Sequence, residues 1–290
     1  MKALIYSSLL VIIIAACNPI SSSPAPIPTR IASEDRPNST LWMPQNVPDG
    51  PEKTITVLAA ASLSEPFNEL GEIFEAANPG IKVTFSFAGS QQLAQQLTEG
   101  ARADVFASAS AKYMDAIEDA GKIRADTVLV FASNRLVVIF PSSNPGGITS
   151  LTDLSKPDLK LDLAAPEVPV GKYSLDFLDK AANDPAFPPR FKDDVLNNVV
   201  SFEDNVKTVL TKVSLGEVDA GLVYSSDLSG KDPNMIGSLD IPDELNVIAS
   251  YPIAPLAGSE QPDLAQAFVD LVMSSQGQEV LANFGFTPTC

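Results

Sequence analysis

Two serines stand where the chain changes from strand to helix. Ile55-Thr-Val-Leu-Ala-Ala-Ala-Ser62-Leu runs from an apolar stretch through small residues to Ser62, and Phe85-Ser-Phe-Ala-Gly-Ser90-Gln-Gln-Leu does the same at Ser90. A helix start leaves backbone N–H groups without intrahelical acceptors and carries the positive end of the helix dipole. A serine there adds a hydroxyl donor, so two such junctions in one domain point to a clamp for an oxyanion. The plainer alternative is that each serine N-caps its own helix, a position serine favours. Further on, Pro166-Glu-Val-Pro-Val170-Gly-Lys-Tyr and Glu203-Asp-Asn-Val206-Lys each open another helix. Val170 and Val206 are either backbone donors or ordinary helix starts. Tyr224, at a strand end, is either a phenol donor or a core-edge residue. Asp104 and Asp227 read as loop or cap acids, with Asp227 near enough in sequence to orient Tyr224. The Gln91-Gln92 and Gln95-Gln96 pairs read as a solvated helix face.

The elements that must position these residues alternate. Ile55 to Leu58 reads as a strand, and Ser64 to Ala77 carries Phe67, Leu70, Ile73 and Phe74 at helical spacing. Ile81 to Phe87 and Asp104 to Ser108 follow as strands, with helices over Gln91 to Thr98 and Tyr113 to Ala120. This βα repeat is the signature of an α/β fold with mainly parallel sheet covered by helices. A loop rich in Ser, Asn, Pro and Gly follows the strand Leu136 to Phe140. After it come a strand over Lys160 to Ala164, helices over Gly171 to Ala182 and Val206 to Leu215, and a strand over Asp219 to Tyr224. The chain returns through Val247 to Leu256 and a helix over Pro262 to Ser274. Two lobes joined by two crossings fit this order, with a ligand at the carboxyl ends of strands in the cleft between them.

Composition narrows the function. The formal charge of −17 disfavours nucleic acid or an anionic membrane surface as a partner. The chain has no histidine, which removes Ser-His-Asp hydrolysis, His-ligated zinc and imidazole base chemistry. Neither Ser62 nor Ser90 has a lysine at a recognisable motif spacing or lies in a G-x-S-x-G elbow, so a secreted serine hydrolase is the weaker class and no enzyme activity is expected. No cofactor is expected either.

At the amino end, Lys2 precedes the apolar run Leu9 to Ala16, which is short of the roughly 20 residues of a membrane-spanning helix. Ile14-Ala-Ala-Cys17 resembles a bacterial lipoprotein cleavage site. Residues 1–16 are thus expected to be a signal peptide and Cys17 the lipidated first residue, followed by a Pro- and Ser-rich tether over residues 17–53. With Cys17 lipidated, Cys290 has no intrachain partner.

The segments Ile55 to Leu63, Phe85 to Gln91, Ala103 to Ala109, Pro166 to Tyr173, Gly221 to Asp227 and Gly285-Phe-Thr are together similar to the periplasmic molybdate-binding proteins of ABC transporters. The similarity runs in consistent order and spacing over Thr54 to Thr287. It implies a two-lobed periplasmic-binding-protein fold of type II, with residues 54–134 plus 251–290 as lobe 1 and 135–250 as lobe 2. It also implies that Ser62 and Ser90 donate from the first lobe, and that Val170 and Val206 (by backbone N–H) and Tyr224 (by its phenol) donate from the second. Asn205 is the alternative to Val206. Gly89 departs from the extra serine some relatives carry. The implied ligand is molybdate, with tungstate also accepted, and the implied partner is an ABC permease, with the protein itself a monomer. Sulfate, phosphate and ferric iron are the alternatives within the class; tyrosine-rich iron capture is disfavoured, because Tyr113, Tyr173, Tyr224 and Tyr251 include no adjacent pair.

Cys17→Ser is expected to leave the protein as an uncleaved precursor or release it in soluble form, as read by fractionation and mass of the amino terminus. A cleaved, lipid-bearing variant chain in the membrane fraction would contradict the assignment of Cys17.

Overall fold

The computed structural model describes residues 53–232 and 234–289. The expected signal peptide, Cys17, the tether up to residue 52 and Cys290 lie outside the described residues. Lys53, expected to end the tether, already pairs with Ile81 in a sheet.

In chain order, β1 (Lys53–Ala60), α1 (Ser64–Ala77), β2 (Ile81–Ala88), α2 (Ser90–Thr98), β3 (Val105–Ala107) and α3 (Ala111–Asp119) form a βα series. β4 (Leu129–Asn134) runs almost directly into β5 (Leu136–Pro141). β6 (Leu161–Ala164), α4 (Pro169–Ala182), α5 (Phe191–Asn197), β7 (Val199–Glu203), α6 (Val206–Ser214) and β8 (Ala220–Tyr224) form the second series. β9 (Ile236–Asp240), β10 (Ala249–Pro255), α7 (Pro262–Met273), α8 (Ser275–Asn283) and β11 (Thr287–Pro288) complete the chain.

The strands form two sheets, ordered β11-β4-β10-β3-β1-β2 and β7-β6-β8-β5-β9. This is the α/β architecture of the sequence reading. The strands are parallel around β1 and around β6. Each sheet is nevertheless mixed, because β10 pairs antiparallel with β3 and β4, and β5 pairs antiparallel with β8 and β9. These antiparallel strands are the ones next to the two crossings. The chain leaves the first sheet at Asn134 and returns at Ala249.

β1 shows why its sequence is a nearly unbroken apolar run. Ile55, Val57 and Ala59 pack in the cluster that holds Phe67, Leu70 and Phe74 of α1, whereas Leu58 packs with Leu93 and Leu97 of α2 on the opposite face. A strand covered on both faces has no polar side to alternate with. Phe67 anchors the α1 side, its ring centroid 5.8 Å from that of Phe131 and 5.9 Å from that of Phe268. Such aromatic pairs add about 0.5–1.5 kcal/mol each beyond area burial.

In the second lobe, Gly171 lets the first turn of α4 settle on the end of β6. A Cβ there would lie 2.1 Å from the Ala165 carbonyl oxygen and 2.4 Å from that of Ala164.

The two sheets are tied together across their facing edges. Gln91 Nε2 donates to the Asp204 carbonyl at 2.8 Å, Tyr173 donates to the Ala109 carbonyl at 3.3 Å, and Tyr113 donates to the Glu167 carbonyl. Lys207 Nζ, at the start of α6, lies 2.7 Å from Glu65 Oε2 in the first turn of α1 and 3.0 Å from Asp227 Oδ1. Burial acts to lower the Lys207 pKa, but the Asp227 and Glu65 carboxylates together raise it. For Glu65, burial acts upward, and the bonds from Lys207 and Ser64 outweigh it to leave the pKa below the ordinary value. A depressed carboxyl pKa contributes stability that is present above the unfolded-state value and is lost as pH falls through the folded one.

Because Glu65 is partly exposed, its tie to Lys207 belongs with screened pairs worth about 0.2–1 kcal/mol. Glu65→Gln is therefore expected to lower unfolding stability by about that amount at pH 7. The difference should narrow as pH falls below about 4.3, where the parent carboxylate begins to protonate. Denaturant titrations of both proteins across that range check it; a difference that is constant with pH would contradict the ion pair.

Candidate ligand-binding site

Residues at or just after the ends of β1, β2, β3, β6, β7 and β8 line one small cavity. Ala60, Ala61, Ser62, Ala88, Gly89, Ser90 and Ala109 line it from the first lobe, and Val168, Pro169, Val170, Asn205, Val206 and Tyr224 from the second. All five residues picked out from the sequence, and the alternative Asn205, thus meet in one place. Its volume is about 20 Å³, measured to the centre of a water molecule. Adding the water's own radius gives a space of about 3 Å radius, the size of one tetrahedral oxyanion. An amino acid or a sugar is too large for it.

Neither serine is an N-cap. Ser62 lies inside a one-turn 3-10 helix, Ala61–Leu63, and α1 begins after it with Leu63 in the capping position. Ser90 is the first residue of α2, where Gly89 is the cap and no side chain caps the helix. Their hydroxyls are instead held by tertiary contacts: Ser62 Oγ is 2.9 Å from the Tyr251 phenol, and Ser90 Oγ accepts from Ala109 N–H at 3.0 Å. Both serines are buried.

The helix starts supply backbone donors for definite reasons. Pro169 opens α4 and has no N–H, and Lys172 N–H bonds back to the Val168 carbonyl. Val170 therefore carries the first free N–H of that helix. At α6, Asn205 is the cap, and its side-chain oxygen accepts from Lys207 N–H at 3.0 Å and Thr208 N–H at 3.2 Å. That leaves the Val206 N–H as the uncapped donor of the first turn. Gly89 permits the close approach of the lobes here, since a Cβ on it would lie 2.5 Å from the Asp204 carbonyl oxygen.

Tyr224 is 1 % exposed, and its hydroxyl meets no partner at hydrogen-bond geometry among the described residues. Burial pushes its pKa well above the ordinary phenol value, with the nearby Tyr251 phenol adding to the shift, so it stays a neutral O–H donor. Asp227 does not orient that phenol. Its Oδ2 accepts the Tyr224 backbone N–H at 3.0 Å, and its other oxygen faces Lys207. No lining side chain is charged. The arrangement can hold an acceptor-only anion with neutral donors from both lobes.

Sequence reasoning missed three contributors. Gln91, read as part of a solvated helix face, is half-buried and ties the two lobes. Lys207 enters the sequence reading only as the residue after Val206, yet it pairs with Glu65 and Asp227. Tyr251 supports Ser62 from behind, and no local pattern pointed to it, since 189 residues separate the two.

The family model described as "Bacterial extracellular solute-binding protein" matches residues 55–287. The chain is 39% identical over 246 residues to the molybdate-binding protein ModA of Mycobacterium tuberculosis, covering 84% of this chain and 89% of that one. Among solved structures, the substrate-binding domain of a putative molybdenum ABC transporter from Clostridium difficile matches with a TM-score of 0.61 at 27% identity, over 82% of this chain and 100% of that one. The sulfate-binding protein SubI of M. tuberculosis shares the fold, with a TM-score of 0.73 at 19% identity over 82% and 87% of the two chains. A family match over most of the length, with a relative above 30% identity, places this chain among the bacterial extracellular solute-binding proteins.

Proposed function

We propose that the protein captures molybdate, and tungstate also by the same chemistry, and delivers it to an ABC permease. The observation that carries this reading is the cavity itself: one oxyanion in size, free of charged side chains, and lined by neutral donors including the unpartnered Tyr224 hydroxyl. The resemblance to a relative named as molybdate-binding and to the substrate-binding domain of a putative molybdenum transporter supports molybdate as the anion. A fully ionised tetrahedral dianion offers only acceptors, which suits hydroxyl and N–H donors. Hydrogen phosphate brings a proton that needs an acceptor, and leaving it unpaired costs about 1–3 kcal/mol. Sulfate has no such proton, so discrimination against it rests on cavity size. The net charge of −17 does not prevent capture, because charges beyond roughly 8 Å are largely screened at physiological salt.

Ser62, Ser90, Val170, Val206 and Tyr224 are the residues we assign to the anion, with no cofactor and the protein acting as a monomer. Lipid on Cys17 would hold it at the outer face of a membrane. A hydrolytic role gains no support from the serines' surroundings: their partners are a phenol and a backbone amide, and neither is a base.

Calorimetry with molybdate, tungstate, sulfate and phosphate tests the assignment. Tight binding of the first two and a large preference over the others is expected; equal or tighter sulfate binding would reassign the ligand. Tyr224→Phe removes one donor to a charged ligand while keeping the ring. A bond of that kind is worth about 1.5–3 kcal/mol, so molybdate affinity should fall about 10-fold to 150-fold. Unchanged affinity in this variant would place the phenol outside the site.

A further inference from the structure

The Ser62 hydroxyl has a single proton, so what it can offer a ligand depends on what its neighbour does. That neighbour is Tyr251 on β10, which does not line the cavity and is fully buried behind Ser62, with the two oxygens 2.9 Å apart. Distance alone lets either oxygen be the donor. The surroundings of the phenol decide it. Asn134 Oδ1 accepts both Arg135 N–H at 2.9 Å and Ser225 Oγ at 3.1 Å, which uses its lone pairs and fixes the amide's orientation. The amide nitrogen of Asn134 donates to Ser226 Oγ at 2.7 Å, so this neighbouring side chain offers the Tyr251 phenol no free acceptor. Among the described residues Ser62 Oγ is the one partner that the fully buried phenol meets at hydrogen-bond geometry, and with the Asn134 acceptor occupied the phenol's proton goes there.

We propose that Tyr251 is a positioning residue that sets specificity: by donating to Ser62 Oγ it commits the Ser62 proton to the cavity and makes that serine a donor to fully deprotonated oxyanions. Ser62 then has little capacity to accept the proton of a hydrogen phosphate. This rests on the reading of the cavity as an oxyanion site. The ring itself is held independently of the hydroxyl, packed edge-on against Phe286 at 5.3 Å, Tyr224 at 5.9 Å and Phe131 at 6.2 Å between centroids. Removing the hydroxyl alone therefore leaves the packing in place.

The test is a double-mutant cycle on the full chain, with Tyr251→Phe, Ser62→Ala and the pair, titrated with molybdate and with inorganic phosphate at pH 7. Thermal unfolding of each variant establishes that it is folded. Tyr251→Phe should weaken molybdate binding about 2-fold to 10-fold in the parent background, as for one neutral hydrogen bond, and by less than about 2-fold when Ser62 is already alanine. It should also narrow the molybdate-to-phosphate preference, because the freed Ser62 oxygen can accept the phosphate proton. Equal losses in both backgrounds, or a preference that does not move, would reduce Tyr251 to a packing residue and overturn the inference while leaving the site intact. A parent that binds no oxyanion would instead remove the site, and the inference with it.

Discussion

A buried hydroxyl without an acceptor organises this molecule. Leaving a polar group such as the Tyr224 O–H unpaired costs about 1–3 kcal/mol, and here it faces a cavity lined by hydroxyl and N–H donors from both sheets and by no charged side chain. It has no partner among the described residues, and an anion in the cavity would supply the acceptor. The same holds for the first free N–H groups of α4 and α6, which the helix geometry leaves without partners. A ligand that meets both walls would favour an arrangement with the lobes together over one with them apart, by its differential affinity for the two.

Against this cost stand the ties that hold the lobes together. Gln91, Tyr113 and Tyr173 bond to carbonyls of the opposite lobe, and Lys207 joins Glu65 to the buried Asp227. The lysine stands one residue after Val206 and turns away from the cavity. Its charge is spent on two carboxylates and does not bias the site toward any anion by simple attraction. Selection is left to the direction of protons and to the size of the space.

The parts of the site that were legible in the sequence are those with a local cause. Ser62, Ser90, Val170, Val206 and Tyr224 each stand at an end of a strand or helix, and such ends show as a change of hydrophobic period. α1 was equally legible, since Phe67, Leu70 and Phe74 recur on one face. The supporting contacts had no local cause: the Lys207–Glu65 pair spans 142 residues of chain and the Gln91–Asp204 bond spans 113. Strand β7 was also hidden. It lies at the edge of its sheet, with Val200 and Phe202 about half exposed, so neither an alternating nor a fully apolar pattern marks it. β4 was harder still, and so was its antiparallel pairing with β10, because a βα reading anticipates parallel neighbours.

The most direct measurement is the anomalous signal of molybdenum in crystals of the molybdate complex. Binding by neutral donors from both lobes predicts one molybdenum peak inside the cavity, with the Tyr224 hydroxyl about 2.5–2.7 Å from an oxygen of an intact tetrahedral anion. A peak elsewhere, or a Tyr224 hydroxyl still without a partner in the loaded protein, would contradict it.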